Sequence, residues 1–316
     1  MGRFALFAGI AAIASAGTGA AGDRVSVTLG TATPGGGFPL YGQAVAETIN
    51  ATEPTLDVQP RNTKGSTENV PLLDEGKLDL GLVTGEVVHE ALSGIGRPKA
   101  DLRVLAAMYS SPGMFVLRAD SPARSIQDLK ARTVVFGAKG SGLVVLARYV
   151  LDGIGLDMER DFNAQYLERA GDGPKMVLEH RAAALWGGGL GWPGFAAMAA
   201  SAGGARFIVP DADGIRSILA KHAFLRALTV PANTYPGQTE PIESLGSWSF
   251  IMARPGLDES VAYRLARALH RGESQLGQRL AVARETTAAN TVAASKPEQL
   301  HPGVLRYFRE AGLIKP

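Results

Sequence analysis

The order of apolar and polar positions predicts strands and helices that alternate along most of the chain. Val25–Thr31 alternates apolar and polar residues, as a half-buried strand does, and Tyr41–Ile49 has helical spacing. Further strands are predicted at Leu56–Pro60, Asp79–Val83, Leu102–Tyr109, Met114–Arg118, Thr133–Gly137, Ala164–Leu167, Ala182–Trp186, Arg206–Val209, Leu225–Val230 and Ser247–Ala253. Helices between successive strands predict an α/β fold of mostly parallel sheets flanked by helices.

The same pattern starts twice, which predicts two units. The polar break Asp120-Ser121-Pro122 ends the first series of strands, and a second series follows it. After Ser247–Ala253 the chain continues as amphipathic helices, and we expect these to pack back on the first unit because their apolar faces need a surface to cover. Two units in sequence indicate two lobes with a cleft between them.

The N-terminus has the pattern of a secretory signal peptide, with the alternative of a buried first helix. Arg3 provides the positive start, Phe4–Ala14 is apolar but too short to span a bilayer, and small residues continue to Gly22. We therefore predict that residues 1–22 are removed and that the protein is periplasmic. The sequence has no cysteine, which excludes thiol catalysis, cysteine-based metal sites and a lipid anchor on cysteine.

Composition and motifs exclude several other classes of protein. The net charge of +2 gives no reason to expect nucleic-acid binding. A Gly-x-Ser-x-Gly motif is absent, and the five histidines are scattered without metal-ligand spacing. We therefore expect a protein that is not an enzyme and has no catalytic residue, cofactor or metal. We also expect a monomer.

Two loops that join a strand to a helix have the composition of anion sites. In the first, Thr63–Asn69, Gly65 allows a tight turn and Ser66 is a suitable N-cap for the next helix. In the second, Gly137–Gly142 precedes another helix and is not a Walker loop. Unpaired N–H groups and the helix dipole at such starts favour a carboxylate or small oxyanion, although a single capped helix can be purely structural.

Other loops at strand ends supply further candidates. Thr31–Pro39 is glycine-rich, so Thr33 can be a polar contact and Phe38 an apolar lid, or Phe38 can belong to the core. Trp186 can stack against a ligand or lie in the core. The predicted ligand-binding residues are Thr33, Phe38, Ser66, Thr67, Asn69, Thr84, Ser141, Gly142 and Trp186.

These segments resemble, in order, the TAXI-type solute-binding proteins of tripartite ATP-independent periplasmic (TRAP) transporters. The resemblance is carried by Thr63-Lys64-Gly65-Ser66-Thr67-Glu68-Asn69-Val70, Gly76-Lys77-Leu78-Asp79-Leu80-Gly81-Leu82-Val83, Ile126-Gln127-Asp128-Leu129-Lys130, Gly137–Gly142, Tyr235-Pro236-Gly237-Gln238 and Leu300-His301-Pro302-Gly303. The chain departs from that family in having one aromatic, Phe38, before Pro39, and Thr84-Gly85-Glu86 where a more polar run is common.

The resemblance implies a type II periplasmic binding protein fold in which the chain crosses between lobes twice. Lobe one would comprise residues 23–118 and 235–316, and lobe two residues 119–234. It also implies a small anionic ligand, such as a dicarboxylate, an oxo acid or an acidic amino acid, that is delivered to membrane permease subunits. Thr67 and its neighbours would hold the ligand from lobe one, and Ser141 and Gly142 from lobe two.

Two alternatives remain at this level. A binding protein that reports to a membrane sensor kinase would use the same two lobes. Gly189–Gly194 spells Gly-x-Gly-x-x-Gly after a strand, with Asp211 about 20 residues on, which is the layout of an NAD site. Trp192 and Pro193 argue against that site, because the first is bulky where a pyrophosphate must approach and the second has no N–H to donate.

Overall fold

A computed structural model describes residues 24–315 of the chain, so the predicted signal peptide, residues 1–22, lies outside the described residues. The strands are β1 Val25–Gly30, β2 Leu56–Arg61, β3 Leu80–Thr84, β4 Arg103–Arg118, β5 Thr133–Ala138, β6 Asn163–Leu167, β7 Ala184–Gly188, β8 Ala205–Ile208, β9 Arg226–Val230 and β10 Ile242–Ala253. The α-helices are α1 Gly37–Thr52, α2 Ser66–Asp74, α3 Gly85–Ser93, α4 Gly142–Gly153, α5 Met158–Asp161, α6 Gly173–Leu178, α7 Pro193–Ala199, α8 Ala212–Lys221, α9 Glu259–Arg279, α10 Ala288–Ala294 and α11 Pro302–Glu310.

Two groups of parallel strands follow from the alternation of strands and helices. β1 pairs in parallel with β2 and β3, and β5 pairs in parallel with β6 and β7. Helices α1, α2, α3 and α4 each begin just after the carboxyl end of a strand in these groups. The α/β fold expected from the sequence is confirmed, and the helix starts lie at the strand ends where ligands bind in open α/β sheets.

Two long antiparallel strands, β4 and β10, join the groups into the order β2-β1-β3-β10-β4-β7-β5-β6. β10 pairs with β3, β4 and β9, and β4 pairs with β7 and β8, so the sheets are mixed where the sequence predicted mostly parallel ones. The break predicted between Leu102–Tyr109 and Met114–Arg118 is wrong. β4 continues through Pro112 and Gly113 because these residues pair with β10 and β7 on either side.

The buried apolar side chains form separate cores on the two sides of the long strands. One core is built mainly from residues 27–109 and 251–308, and the other two from residues 114–245. We call the first part lobe one and the second lobe two. Helix α9 packs on α1, and α11 on α9, which confirms that the C-terminal helices cover the first unit. The limits at residues 118 and 234 stay predictions, and we propose that the chain passes between lobes within β4 and β10.

Candidate functional site

A cavity of about 60 Å³ lies between the two lobes, at the carboxyl ends of β3 and β5. Lobe one contributes the loop after β1 and the starts of α1 and α2. Lobe two contributes the start of α4 and the loops that follow β6 and β7. The lining residues are Ala32, Thr33, Gly36, Gly37, Phe38, Lys64, Gly65, Ser66, Thr84, Tyr109, Ser111, Gly137, Ala138, Ser141, Gly142, Leu143, Ala170, Trp186, Gly188 and Trp192.

Helices α2 and α4 direct their N-termini at this cavity from opposite lobes. The first N–H of each helix, that of Ser66 in α2 and that of Gly142 in α4, has no hydrogen-bond partner among residues 24–315. The sequence predicted Ser66 as the N-cap of α2, which is wrong, because the cap is Gly65, with a φ of 118°. Ser141 caps α4 by accepting the Leu143 N–H at 3.2 Å. The free N–H groups and aligned dipoles make this end of the cavity favourable for an anion.

The hydroxyl of Thr84 adds a polar group at the same place. Thr84 is 3% exposed, and its Oγ1 has no hydrogen-bond partner among the described residues. Its backbone N–H donates to Ser66 Oγ at 3.1 Å, which fixes the end of β3 against the start of α2. A buried hydroxyl without a partner is costly, so a ligand that supplies one gains free energy on binding.

The lobes touch on both sides of the cavity, which encloses it. The N–H and the hydroxyl of Thr67 both donate to the carbonyl of Gly140, at 3.3 and 3.0 Å. On the other side, the Ala170 N–H donates to Thr33 Oγ1 at 3.2 Å, and the Gly171 N–H donates to the Pro34 carbonyl at 3.4 Å. These contacts join lobe one to lobe two across the mouth, so the conformation is closed.

Seven of the nine predicted residues line the cavity, and two do not. The seven are Thr33, Phe38, Ser66, Thr84, Ser141, Gly142 and Trp186. Thr67 lies outside and bridges the lobes. Asn69 is fully buried behind the cavity, where its amide donates to the carbonyls of Thr31 and Leu82 at 2.9 and 2.8 Å. It therefore ties the end of β1 to β3. Ligand contact by any of the nine stays a prediction.

Trp186 is a core residue that also borders the cavity, and its stacking against a ligand stays a prediction. It lines the cavity but is 1% exposed, and its indole N–H donates to the Leu143 carbonyl at 2.7 Å. Its ring packs against Phe115, with centroids 4.7 Å apart. The side chain is thus a core residue that supports the start of α4 and forms the floor of the cavity.

Sequence reasoning missed the aromatic wall formed by Tyr109 and Trp192. The Tyr109 ring meets Phe38 edge-on, with centroids 6.5 Å apart, and packs on Tyr41 at 5.2 Å. Trp192 was considered only as an obstacle to nucleotide binding. The sequence did show that Tyr109 lies within a strand and that Trp192 follows a run of glycines. Neither observation predicts on which side of the sheet the ring lies.

The loop Gly189–Gly194 is shaped around its own aromatic side chains. Trp192 is 7% exposed and packs edge-on against Phe195. The Gly191 N–H donates to Tyr235 Oη at 3.0 Å, and the Tyr235 hydroxyl donates to the Gly189 carbonyl at 3.1 Å. Asp211 caps α8. The loop amide and the acidic residue that a dinucleotide would need are therefore engaged within the protein.

Two ionisable side chains, Lys64 and Glu86, determine the charge in and behind the described lining of the cavity. Lys64 is the one charged side chain among the described lining residues, and it is exposed. Glu86 is fully buried at the start of α3, two residues beyond Thr84, where it accepts a hydrogen bond from Ser247. Burial raises the pKa of the Glu86 carboxyl above its usual value, an effect that the hydroxyls of Ser247 and Thr84 partly oppose.

Two further findings concern residues 24–315 as a whole. Nowhere in that range do three or more His, Cys, Asp or Glu side chains gather as ligands for a metal ion. None of the helices there combines the length and apolar character that crossing a bilayer requires.

Comparison with known proteins identifies relatives in sequence and in fold. A sequence model of the NMT1-like family matches residues 29–312. A solved structure described as that of a periplasmic transporter aligns with a TM-score of 0.55 at 12% identity, over 84% of this chain and 88% of that chain. XAC2383 from Xanthomonas citri, bound to chloride ion, aligns with a TM-score of 0.52 at 16% identity, over 91% and 96%. At these identities the likeness shows the fold alone, a mixed α/β fold with flanking helices.

Proposed function

The chain belongs to the NMT1-like family, and we propose that it is a solute-binding protein whose two lobes close around a small organic anion. One observation carries this proposal. Ser66 in lobe one and Gly142 in lobe two, each with a free N–H, line the same enclosed cavity as Thr84 with its unpaired hydroxyl. An anion placed there would receive hydrogen bonds from both lobes.

The proposed mechanism is an equilibrium between open and closed lobes. In an open form the start of α4 and the start of α2 would be apart, and an anion could contact only one of them. Closure brings both N–H groups to the ligand, so the ligand binds the closed form more tightly and shifts the equilibrium toward it. The contacts of Thr67 with Gly140 and of Thr33 with Ala170 would then form with closure.

We propose that the partner is a membrane permease of the TRAP type, to which the protein delivers its ligand. It is supported by the resemblance of Thr63–Val70 and Gly137–Gly142 to TAXI-type proteins and by the periplasmic binding protein fold. Export through a signal peptide, residues 1–22, belongs to the same proposal. A dissociation constant near micromolar, about −8 kcal/mol, would let the protein capture its ligand and still release it.

A thermal-shift screen of residues 23–316, refolded once to remove any ligand retained from the cell, tests the proposal. The panel contains small carboxylates, their neutral amides and NAD. A ligand at about 100 times its dissociation constant adds about 2.7 kcal/mol to the free energy of unfolding, which gives a clear shift. We expect carboxylates to shift the transition and their amides not to. A shift with NAD alone, or with amides as strongly as with acids, would contradict an anion-binding role.

A further inference from the structure

We propose that the cavity takes a short-chain monocarboxylate, with one charged end and an apolar body, and not a dicarboxylate or an acidic amino acid. This inference rests on the proposed function and narrows the class of ligand. It is argued from the size of the cavity, from the position of its polar groups and from the chemistry of its remaining walls.

The size of the closed cavity limits the ligand. A volume of about 60 Å³ is room for about four to six water molecules, because each buried water needs roughly 10–15 Å³ on this measure. A ligand of that bulk is a short-chain acid, and a second carboxylate would have to be placed in the same small space.

The groups that suit a carboxylate lie together at one end. A β-carbon placed on Gly142 would stand 1.9 Å from Thr84 Oγ1 and 2.9 Å from Ser66 Oγ, so the start of α4, the end of β3 and the start of α2 meet at one point. The free N–H groups of Ser66 and Gly142 belong to this point. Two amide donors and one hydroxyl match the two oxygens of one carboxylate.

Apart from the exposed Lys64, the remaining walls are poorly suited to a second negative charge. They are formed largely by the apolar and aromatic side chains of Phe38, Leu143 and Trp192. Tyr109 supplies a hydroxyl with no hydrogen-bond partner among residues 24–315, and burial raises its pKa, so it stays neutral. A neutral hydroxyl such as that of Tyr109 suits an oxo or hydroxyl oxygen, whereas a second carboxylate buried away from Lys64 would lack a counter-ion.

Charge around the cavity also disfavours acidic amino acids. Within the described part of the chain, no Asp or Glu lines the cavity, so an ammonium group would have no ionic partner. Lys64 is exposed at the mouth, where water screens its charge.

Isothermal titration of refolded residues 23–316 with butyrate, 2-oxobutyrate, succinate, glutamate and butyramide tests the inference. Butyrate and succinate share a four-carbon chain and differ in the second carboxylate. We expect at least about tenfold tighter binding of the monocarboxylates than of succinate or glutamate. Equal or tighter binding of succinate or glutamate would overturn the inference while leaving an anion-binding function intact. Binding of no acid, or of butyramide as tightly as butyrate, would overturn the proposed function and this inference with it.

A variant that changes the apolar wall gives a second test. Phe38→Arg places a cation in the apolar wall of the cavity, so succinate should bind more tightly than it does to the wild type, and butyrate less tightly. Leu40→Arg is the matched control, because Leu40 is 55% exposed on the same helix and does not line the cavity. A gain in succinate binding by both variants, or by neither, would contradict the inference. If Phe38→Arg does not fold, the ratio of butyrate affinity to succinate affinity in the wild-type protein tests the inference by itself.

Discussion

Thr84 Oγ1 occupies the space that a side chain on Gly142 would need, since a β-carbon there would stand 1.9 Å from that oxygen. Thr84 ends β3 in lobe one, and Gly142 starts α4 in lobe two. The two lobes can therefore meet at this point only because residue 142 has no side chain. The same contact brings the unpaired hydroxyl of Thr84 beside the free N–H of Gly142.

The first prediction concerns this contact. Gly142→Ala should hold the lobes apart at the end of β3 and weaken anion binding by about 1–3 kcal/mol, the usual cost of overpacking a tight contact. Titration with the acid that gives the largest thermal shift measures the effect. Gly203→Ala is the control, because nothing lies within 4 Å of a β-carbon at Gly203. Unchanged affinity in Gly142→Ala would show that closure does not need this contact.

The second prediction separates a ligand contact from a structural one. Thr84→Val removes a hydroxyl that makes no hydrogen bond of ordinary geometry in the described structure and helps to lower the pKa of the Glu86 carboxyl, so the stability of the ligand-free protein should change little. Anion binding should weaken by about 1.5–3 kcal/mol, the range for a hydrogen bond to a charged group. Denaturant unfolding and titration measure the two effects.

Thr291→Val should have the opposite profile and serves as its control. The Thr291 hydroxyl accepts the Ala107 N–H at 3.0 Å and donates to the Thr287 carbonyl at 2.9 Å, far from the cavity. We expect a loss of stability with no change in affinity. If Thr84→Val lost stability and kept its affinity, Thr84 would be a structural residue.

The third prediction concerns Trp186. Trp186→Phe removes the hydrogen bond to the Leu143 carbonyl and leaves space beside Phe115, so the free energy of unfolding should fall by about 1–3 kcal/mol. Urea unfolding followed by circular dichroism measures it. Trp248→Phe is the control, since Trp248 is partly exposed on β10 and outside the cavity. If both variants lost a similar amount of free energy of unfolding, the conclusion that Trp186 supports the start of α4 would be wrong.

The fourth prediction concerns pH. Burial raises the pKa of Glu86 above 4.5, and the negative charge of Glu90 on the next turn raises it further. The folded state therefore holds this proton more tightly than the unfolded state, so the contribution of Glu86 to stability is greatest below pH 4.5 and is lost as the pH rises toward the folded-state pKa. Glu86→Gln should be more stable than the wild type at neutral pH, with a difference that vanishes near pH 4. Melting temperatures across that range measure it.

Glu53→Gln provides the contrast of opposite sign. The Thr55 hydroxyl and Arg267 lower the pKa of Glu53, so its contribution to stability is present above its usual pKa and is lost in acid. That variant should be less stable than the wild type at neutral pH and should match it in acid. If the two variants changed stability with pH in the same direction, the account of Glu86 would be wrong.

The sequence predicted the alternation of strands and helices because each element has its own periodicity or turn residues. It failed at β4, where Pro112 and Gly113 read locally as a break. Pairing with β10 and β7 outweighs that local signal. Such pairing joins residues far apart in the chain, so it cannot be predicted from a short stretch of sequence.

The candidate site was predictable where backbone groups form it and less so where side chains do. Strand-to-helix loops can be predicted from glycines and caps, and the predicted residues Ser66, Ser141 and Gly142 line the cavity. Asn69 was assigned to the ligand because it is polar, yet its amide satisfies backbone carbonyls of lobe one. Tyr109 was missed because the direction of a side chain on a strand between two lobes depends on how those lobes meet.

Closure of the lobes on the anion is the central claim, and an interlobe distance tests it most directly. The natural chain has no cysteine, so spin labels at Gln43→Cys and Lys175→Cys would report only the separation of two exposed positions, on α1 and α6. We expect the distance distribution to shorten and narrow when the preferred acid is added, and to stay broad in Gly142→Ala. Identical distributions with and without saturating acid would contradict the account.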